Sequence, residues 1–177
     1  MKYLTAPYLT LMHAFKAHAD LMLEKYKPYA SPIELLGEYS TLRLDGGRQS
    51  GKTEAVVQFC VEWMEDGGSV YVISSSQQNS NATRHRISKA WNNRINFRSF
   101  DEDYFKRNVL TDTVRAFLSD GGSKARGRTL NRILYIIDEP MNVPSLHKFY
   151  EAHYKGPFYA TCNQTDKLPL FFVIGMQ

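Results

Sequence analysis

Apolar residues along the chain follow two patterns that alternate. At residues 8–26 and 52–65 they recur at the spacing of a helix with one buried face. Between and after these stretches lie short runs that are apolar almost throughout, which is typical of strands covered on both faces of a parallel sheet. The alternation predicts an α/β fold, with a mainly parallel central sheet and helices flanking it.

The same patterns predict the remaining elements. Ser31, Pro32 and Glu34 have the spacing of a capping box with proline at the first helical position, so a short helix is expected to begin there. A polar, basic helix is expected at residues 80–93 and another helix at residues 145–153. Strands are predicted at residues 40–44, 69–75, 114–118, 132–137, 158–161 and 170–174, with a loop at residues 120–128.

Length and composition bound the class of protein. The 177 residues suffice for a single domain with its own core, and we divide them into an N-terminal helical extension at residues 1–38 and a core at residues 39–177. The net charge of +4 fits a polyanionic partner without identifying one. Because the sequence has neither a run of about 20 apolar residues nor a signal-peptide pattern, no membrane association and a cytoplasmic location are predicted.

Cysteine and histidine carry no predicted metal chemistry. The two cysteines, Cys60 and Cys162, have neither metal-ligand spacing nor a disulfide framework. Cys60 falls in an apolar helical stretch, where core packing is expected and a reactive thiol is the alternative. The five histidines show no metal-binding spacing and receive no role.

One segment has the pattern of a phosphate-binding loop. Residues 46–53 satisfy G-x-x-x-x-G-K-[ST] between a predicted strand and a predicted helix, which is the context that the motif requires. Glycines let backbone N–H groups turn towards phosphates, and the helix adds the positive end of its dipole. Lys52 is expected to reach the β- and γ-phosphates, and the Thr53 hydroxyl to ligate Mg²⁺. The predicted nucleotide-binding residues are Gly46, Gly47, Arg48, Gln49, Ser50, Gly51, Lys52 and Thr53.

A second segment places two carboxylates at the end of an apolar strand. Asp138 and Glu139 follow the run Ile-Leu-Tyr-Ile-Ile. In P-loop enzymes an aspartate here holds the magnesium shell, together with the Thr53 position. A glutamate directly after it is positioned to activate water as a general base. The pair favours an ATPase over a small-molecule kinase, and the alternative is a charged strand end without chemistry.

Three further segments make the chain resemble the ATPase domain of the large terminase, the DNA-packaging motor of tailed phages. Arg48 stands inside the phosphate loop, where that family often has an arginine. The run Lys-Ala-Arg-Gly-Arg-Thr at residues 124–129 is similar to the terminase Ala-Arg-Gly segment. Residues 159–164 are similar to the family's coupling motif, usually Ala-Thr-Gly-Asn: Thr161 and Asn163 match, and Cys162 replaces the glycine. The resemblance covers about residues 40–163.

The resemblance implies a P-loop NTPase with a three-layer sandwich that hydrolyses ATP with Mg²⁺ and drives packaging of viral double-stranded DNA. It implies that Arg48 acts on the γ-phosphate in cis, with Arg126 as a further catalytic candidate. Thr161 and Asn163 would couple the state of the γ-phosphate to the grip on DNA. The family also implies a homo-oligomeric ring in the host cytoplasm, with a portal, a small terminase or a separate nuclease as partners.

The chain departs from the family in several respects. No nuclease domain with clustered acids is predicted, no lid follows the coupling motif, and no glutamine-centred adenine motif is found near the N-terminus; Tyr29 or Tyr39 is a candidate for stacking on the base. Plain alternatives stay open for the weaker segments. Arg48 is then a solvated loop cation, Arg126 and Arg128 are surface charges, and Thr161 and Asn163 satisfy backbone groups at a strand end.

The basic helix at residues 80–93 is the candidate surface for nucleic acid. Its cations would meet backbone phosphates and give salt-dependent binding, and the alternative is a solvated helix face. The candidate contacts are Arg84, Arg86, Lys89 and Arg94.

Two other functions compete with a packaging motor. One is a different nucleic-acid-dependent ATPase, such as a helicase-like or recombination factor, and the other is a nucleotide-binding regulatory or assembly subunit with low turnover. A nucleotide or nucleoside kinase is a third and weaker alternative.

Overall fold

Parallel strands form the centre of the molecule. The computed structural model describes residues 4–46, 50–94, 102–138 and 145–175. Within these ranges the strands are β1 (Thr41–Leu44), β2 (Ser69–Ser74), β3 (Val109–Thr113), β4 (Ile133–Asp138) and β5 (Leu170–Ile174). The helices are α1 (Thr5–Tyr26), α2 (Pro32–Tyr39), α3 (Lys52–Glu65), α4 (Gln77–Arg94), α5 (Glu102–Asn108), α6 (Val114–Asp120), α7 (His147–Lys155) and α8 (Pro157–Thr161), with a 3₁₀ turn at Ser123–Ala125.

The five strands pair in the order β1-β5-β4-β2-β3, and every pairing is parallel. Because β2 and β5 are buried at every position, helices must cover both faces of the sheet. Helices α1, α3, α4 and α5 pack on one face around Val72, Ile136 and Phe172. Helices α2, α6, α7 and α8 pack on the other around Tyr71, Tyr135 and Phe171. The predicted α/β three-layer sandwich is therefore confirmed.

The long first helix runs from the loop edge of the sheet to the amino-terminal edge. At 22 residues it is about 33 Å long. Met12, Ala19 and Leu23 of the predicted apolar stripe are buried against the core, whereas Leu11 of that stripe is 46% exposed. Leu21, outside the stripe, is 66% exposed. Near its C-terminal end, Asp20 pairs with the Arg132 guanidinium at the amino-terminal edge of the sheet, at 2.5 Å. The helix ends before Pro28, whose ring cannot continue it.

Most of the predicted elements are confirmed. The helix at residues 52–65 and the strand at residues 170–174 have the predicted bounds. Ser31 and Glu34 form the predicted capping box: the Ser31 hydroxyl accepts from the Glu34 amide, and the Glu34 carboxylate accepts from the Ser31 amide. Cys60 is fully buried in the core, and burial raises the pKa of its thiol, so the core-packing interpretation holds.

Two predicted strands are wrong. Residues 114–118 belong to α6, which Thr113 caps by accepting from the Ala116 amide at 3.2 Å. The strand in this region is β3, which lies just before α6. It was missed because Asp112 interrupts its apolar pattern; this aspartate is buried and accepts a hydrogen bond from the Tyr71 hydroxyl at 3.1 Å. Residues 158–161 belong to α8, because Pro157 at the first helical position favours a helix over the strand propensity of the residues after it.

None of the helices in the part of the chain that the structure describes is long and apolar enough to cross a membrane.

A buried histidine links the second helical layer to the sheet. His153 of α7 is 2% exposed, and its Nδ1 lies 2.9 Å from the Tyr135 hydroxyl. Burial lowers the pKa of His153 to about 3, so the ring is neutral in the folded protein. In the unfolded chain a histidine titrates near 6.5. Below that pH the unfolded chain takes up a proton that the folded protein excludes, so stability falls as the pH drops from about 6.5 towards 3.

We predict that His153 contributes measurably to the loss of folding stability at acid pH. The wild-type free energy of unfolding should decrease, through this residue alone, by about 1.4 kcal/mol per pH unit well below pH 6.5. His153→Gln lacks the titrating ring, so its stability should fall less steeply. Urea unfolding of both proteins from about pH 7 to about pH 4 measures the two slopes. Equal slopes would contradict the assignment.

Candidate nucleotide-binding site

The glycine-rich loop joins the edge strand β1 to the helix α3. Gly51 caps α3 in the left-handed conformation at φ 95°, which glycine adopts without strain. The Gly46 amide donates to the Asp45 carboxylate at 2.7 Å, and the Lys52 ammonium donates to the Gly46 carbonyl. Lys52 therefore reaches back across the loop from the first turn of α3. Gly47, Arg48 and Gln49 lie outside the described residues.

The loop offers donors suited to an anion. The first hydrogen bond within α3 runs from the Ala55 amide to the Gly51 carbonyl at 3.0 Å. The amides before Ala55 therefore have no partner within this 14-residue helix, and they lie at the positive end of its dipole. The Ser50 hydroxyl is buried and has no hydrogen-bond partner among the described residues. A buried hydroxyl without a partner is costly, and a phosphate oxygen would satisfy it. These groups fit a phosphate chain.

The acidic strand end faces the same side of the sheet as the loop helix. Side chains alternate along β4: Leu134 and Ile136 enter the α3 face, so Asp138 points there too. In register, Asp138 stands beside Ile174 of β5, and Ile174 stands beside Leu44 of β1. With one strand between them, β1 and β4 are separated by about 9–10 Å. Glu139 lies outside the described residues.

Two polar side chains beside Asp138 escaped the sequence analysis. Thr83 of α4 is 5% exposed, and its hydroxyl donates to the Asp138 carboxylate at 3.1 Å. Ser74 stands opposite Asp138 in register and is fully buried, and its hydroxyl has no partner among the described residues. A signal existed: Thr83 lies on the same helical stripe as the apolar Ile87 and Trp91, where a polar residue needs a buried partner.

The first turn of α1 also contacts the loop, and the sequence did not indicate it. The Tyr8 hydroxyl donates to the Asp45 carbonyl at 3.4 Å. A Cβ at Gly46 would collide with that hydroxyl, and a Cβ at Gly51 would lie 2.5 Å from the Thr5 hydroxyl. The Thr5 hydroxyl is buried without a partner among the described residues. The loop glycines therefore allow close packing of α1 as well as backbone freedom.

The residues present fit a magnesium ion that arrives with a nucleotide. Thr53 and Asp138 supply a hydroxyl and a carboxylate, the hard oxygen ligands that Mg²⁺ prefers. Across residues 4–46, 50–94, 102–138 and 145–175 there is no group of three or more His, Cys, Asp or Glu that could hold a metal. Mg²⁺ on phosphate substrates usually needs only one or two carboxylates, since waters and phosphates complete its shell.

The structure does not bring Arg126 to the loop. Its guanidinium donates to the Asp120 carbonyl at 3.1 Å, and neighbouring Lys124 donates to the Thr111 carbonyl of β3 at 2.6 Å. The segment thus runs beside β3, at the opposite edge of the sheet from β1. Four strand spacings amount to about 19 Å, so the catalytic candidate Arg126 does not lie beside the loop of its own chain.

Thr161 and Asn163 do not reach the candidate site either. Thr161 closes α8, and its hydroxyl donates to the Phe158 carbonyl at 3.0 Å, within its own helix. Asn163 is exposed in the turn that leads to the start of β5. The start of a parallel strand lies at the edge opposite to the loop, so the predicted position on a strand beside the acidic pair is wrong. The residue in that position is Ile174, at the carboxyl end of β5.

The aromatic candidates for base stacking are also misplaced. Tyr39 stacks on Tyr26, with ring centroids 5.3 Å apart, just before β1 begins. Tyr29 follows α1 at the same edge and is 83% exposed. Both lie at the amino-terminal edge, whereas Tyr8 lies at the loop. The stacking expectation for Tyr29 and Tyr39 is therefore wrong.

The cations of α4 fall into different environments. Arg94 pairs with Glu62 at 3.1 Å and with Glu65 at 3.0 Å, so its charge is already compensated by α3. Arg86 and Lys89 are exposed. Arg84 is half-buried, with its guanidinium 5.5 Å from the centroid of the Phe105 ring. Of the predicted contacts, Arg94 is the least suited to a phosphate.

Comparison with known proteins finds a relative in a phage. The sequence matches no family model. It is 43% identical over 183 residues to an uncharacterized 25.0 kDa protein in the regB-denV intergenic region of Enterobacteria phage T4, an alignment that covers 99% of this chain and 80% of the relative. The chain belongs to the family of this phage T4 protein. The relative's description names no activity, so the chemistry of this phage family must be argued from the site.

We predict that a side chain at Gly51 of this phage-family protein lowers the free energy of unfolding more than one at a glycine with open space around it. Gly51→Ala combines left-handed strain with a collision against Thr5, whereas the control Gly127→Ala has a similar φ of 71° and nothing within 4 Å of the new Cβ. The control should cost about 1–2 kcal/mol and Gly51→Ala about 1–3 kcal/mol more. Urea unfolding measures both, and equal losses would show that α1 does not press on the loop.

Proposed function

We propose that this protein is a magnesium-dependent ATPase that acts on DNA. One arrangement carries the proposal: Lys52 in the first turn of α3 and Asp138 at the end of β4 share one edge and one face of the sheet, with a single strand between their strands. The axes of β1 and β4 are about 9–10 Å apart, so groups at the ends of the two strands can reach one triphosphate tail with its metal. Loop amides, a cation and a carboxylate are the groups that phosphoryl transfer requires.

Each residue of the site has a distinct role in this proposal. The Lys52 ammonium, which bonds the Gly46 carbonyl, would exchange that carbonyl for phosphate oxygens. Thr53 and Asp138 would hold the metal, which when bound polarises the phosphates and neutralises developing charge. Glu139 follows Asp138 directly and would accept a proton from the attacking water. Arg48, or an arginine of a neighbouring subunit, would stabilise the transferred phosphoryl group.

Packaging of viral double-stranded DNA is the specific form of work that we favour. The phage T4 relative supports a viral origin, and a location in the host cytoplasm follows from that origin. Arg48 remains a match to the terminase loop. The positions of Arg126, Thr161 and Asn163 weaken two of the three segments that support the terminase resemblance, so another DNA-dependent ATPase stays the main rival. In a ring, the exposed Arg126 at the β3 edge would act on a neighbouring subunit.

A regulatory subunit with low turnover is the second candidate, and one observation favours it. The first turn of α1 contacts the loop through Tyr8, while Lys52 is bonded to the loop's own carbonyl. Entry of a nucleotide requires Lys52 to exchange this bond. Slow exchange would give tight binding with little hydrolysis.

We predict that Glu139→Gln separates binding from turnover. It should lower ATP hydrolysis by about 10²–10⁴-fold and leave the affinity for a fluorescent ATP analogue nearly unchanged, because a general base acts only in the chemical step. Lys52→Gln should weaken binding itself, since it removes the cation that meets the phosphates. The control Glu24→Gln changes an exposed residue of α1. Steady-state phosphate release and fluorescence titration measure the two effects.

Full turnover in Glu139→Gln would overturn the catalytic assignment. Tight nucleotide binding by the wild type with no phosphate release, with or without duplex DNA, would favour the regulatory subunit. Transfer of phosphate to an added nucleoside acceptor would favour a kinase.

A further inference from the structure

Two consecutive residues of helix α4 face different sites. Thr83 contacts the candidate metal site, and the cation Arg84 lines a separate groove. Thr83 donates to Asp138 at 3.1 Å, and Arg84 enters the groove between α4 and α5. We propose that duplex DNA binds this groove through its phosphates and that α4 transmits the contact to Asp138 through Thr83. The inference rests on the proposed ATPase function and names the partner surface and the regulation of that site.

The groove has the size and the donors for a phosphodiester backbone. Its volume is about 470 Å³. Arg84 lies over the Phe105 ring, and its Nε is buried without a hydrogen-bond partner among the described residues. The half-buried guanidinium as a whole lines the groove, and guanidinium N–H groups suit phosphate oxygens. The polar and charged side chains lining the groove are Asn81, Arg84, His85, Ser88, Asn92, Glu102 and Lys106.

The chemistry of the groove favours the backbone of DNA over its bases. Amide, hydroxyl and guanidinium donors are the groups that contact phosphate and sugar, and such contacts position a protein on DNA without reading sequence. Lys106 is paired with Glu102 at 2.8 Å, so Arg84 is the strongest donor left for a phosphate. The expected binding is independent of sequence and sensitive to salt.

The link from the groove to the site is short and rigidly held. Thr83 and Arg84 are consecutive, so they point to different sides of α4. Ile87 and Trp91, 0% and 6% exposed, pack the same helix on the sheet, and Trp91 stacks on Tyr104 of α5 at 5.8 Å. A ligand that binds Arg84 and α5 therefore acts on the same turn of α4 that carries Thr83, and it either shifts this turn or holds it in place. The Thr83 hydroxyl fixes one oxygen of the Asp138 carboxylate, which orients the carboxylate for the metal.

Thr83 is thus a positioning residue, and its removal should uncouple the two sites. Coupling between sites in proteins typically changes affinity or activity by about 5–150-fold. We expect duplex DNA to stimulate ATP hydrolysis by the wild type about tenfold, within that range. Thr83→Val keeps the shape but loses the hydroxyl, so stimulation should fall to near onefold and the half-saturating Mg²⁺ concentration should rise. Thr83→Ser restores the donor and should restore both.

The experiment uses the full chain and four variants. Phosphate release is measured with no DNA, with duplex DNA and across a Mg²⁺ series, and Mg²⁺-dependent binding of a fluorescent ATP analogue gives a second readout. Fluorescence anisotropy with labelled duplex across a salt series gives the DNA affinity. Arg84→Gln should weaken duplex binding and lower the salt slope by about 1. The control Arg115→Gln removes one exposed arginine from α6, on the other face of the sheet, and should keep the wild-type slope.

Each outcome decides the inference. Full DNA stimulation and a wild-type Mg²⁺ requirement in Thr83→Val would overturn the link, and an unchanged salt slope in Arg84→Gln would overturn the groove. A wild type that hydrolyses ATP at a rate that duplex DNA does not change would overturn the coupling and leave the ATPase standing. A wild type that releases no phosphate under any condition would overturn the ATPase and the coupling together.

Discussion

The candidate site depends on the parallel pairing of the sheet. Parallel strands bring all their carboxyl ends to one edge, so the loop after β1 and the acid at the end of β4 meet there although they are far apart in the chain. The strand β5 sets the gap between them. The axes of β1 and β4 are therefore about 9–10 Å apart. The order of the strands places the loop and the acid at one edge of the sheet, two strand positions apart.

A second constraint acts at the loop itself. The glycines at positions 46 and 51 accommodate both the turn of the backbone and the close approach of Tyr8 and Thr5 from α1. The same helix is tied at its far end by the Asp20–Arg132 pair, at the opposite edge of the sheet. The N-terminal helix therefore contacts the loop at one edge of the sheet and the start of β4 at the other.

The sequence predicted most of the fold, because the fold depends on local patterns. Apolar runs and helical spacing gave β2, β4, β5 and α3, and the glycine-lysine motif gave the loop between β1 and α3. What it missed depends on contacts between distant segments. Thr83 meets Asp138 only because α4 packs back across β4, and no spacing within residues 77–94 encodes that partner. Thr161 and Arg126 were misassigned because a short motif fixes neither the edge of the sheet nor the secondary structure that carries it.

The carboxyl edge beside Asp138 holds two hydroxyls that the terminase resemblance does not name. Thr83 and Ser74 lie on the α4 side of Asp138, whereas Thr161 lies in α8. Both residues are buried, and the Ser74 hydroxyl lacks a partner among the described residues. Buried polar groups of this kind are stable only if a ligand or water completes them. In the mechanism that we propose, a signal from a bound nucleotide would reach the groove through α4, because that helix contacts Asp138 and also lines the groove.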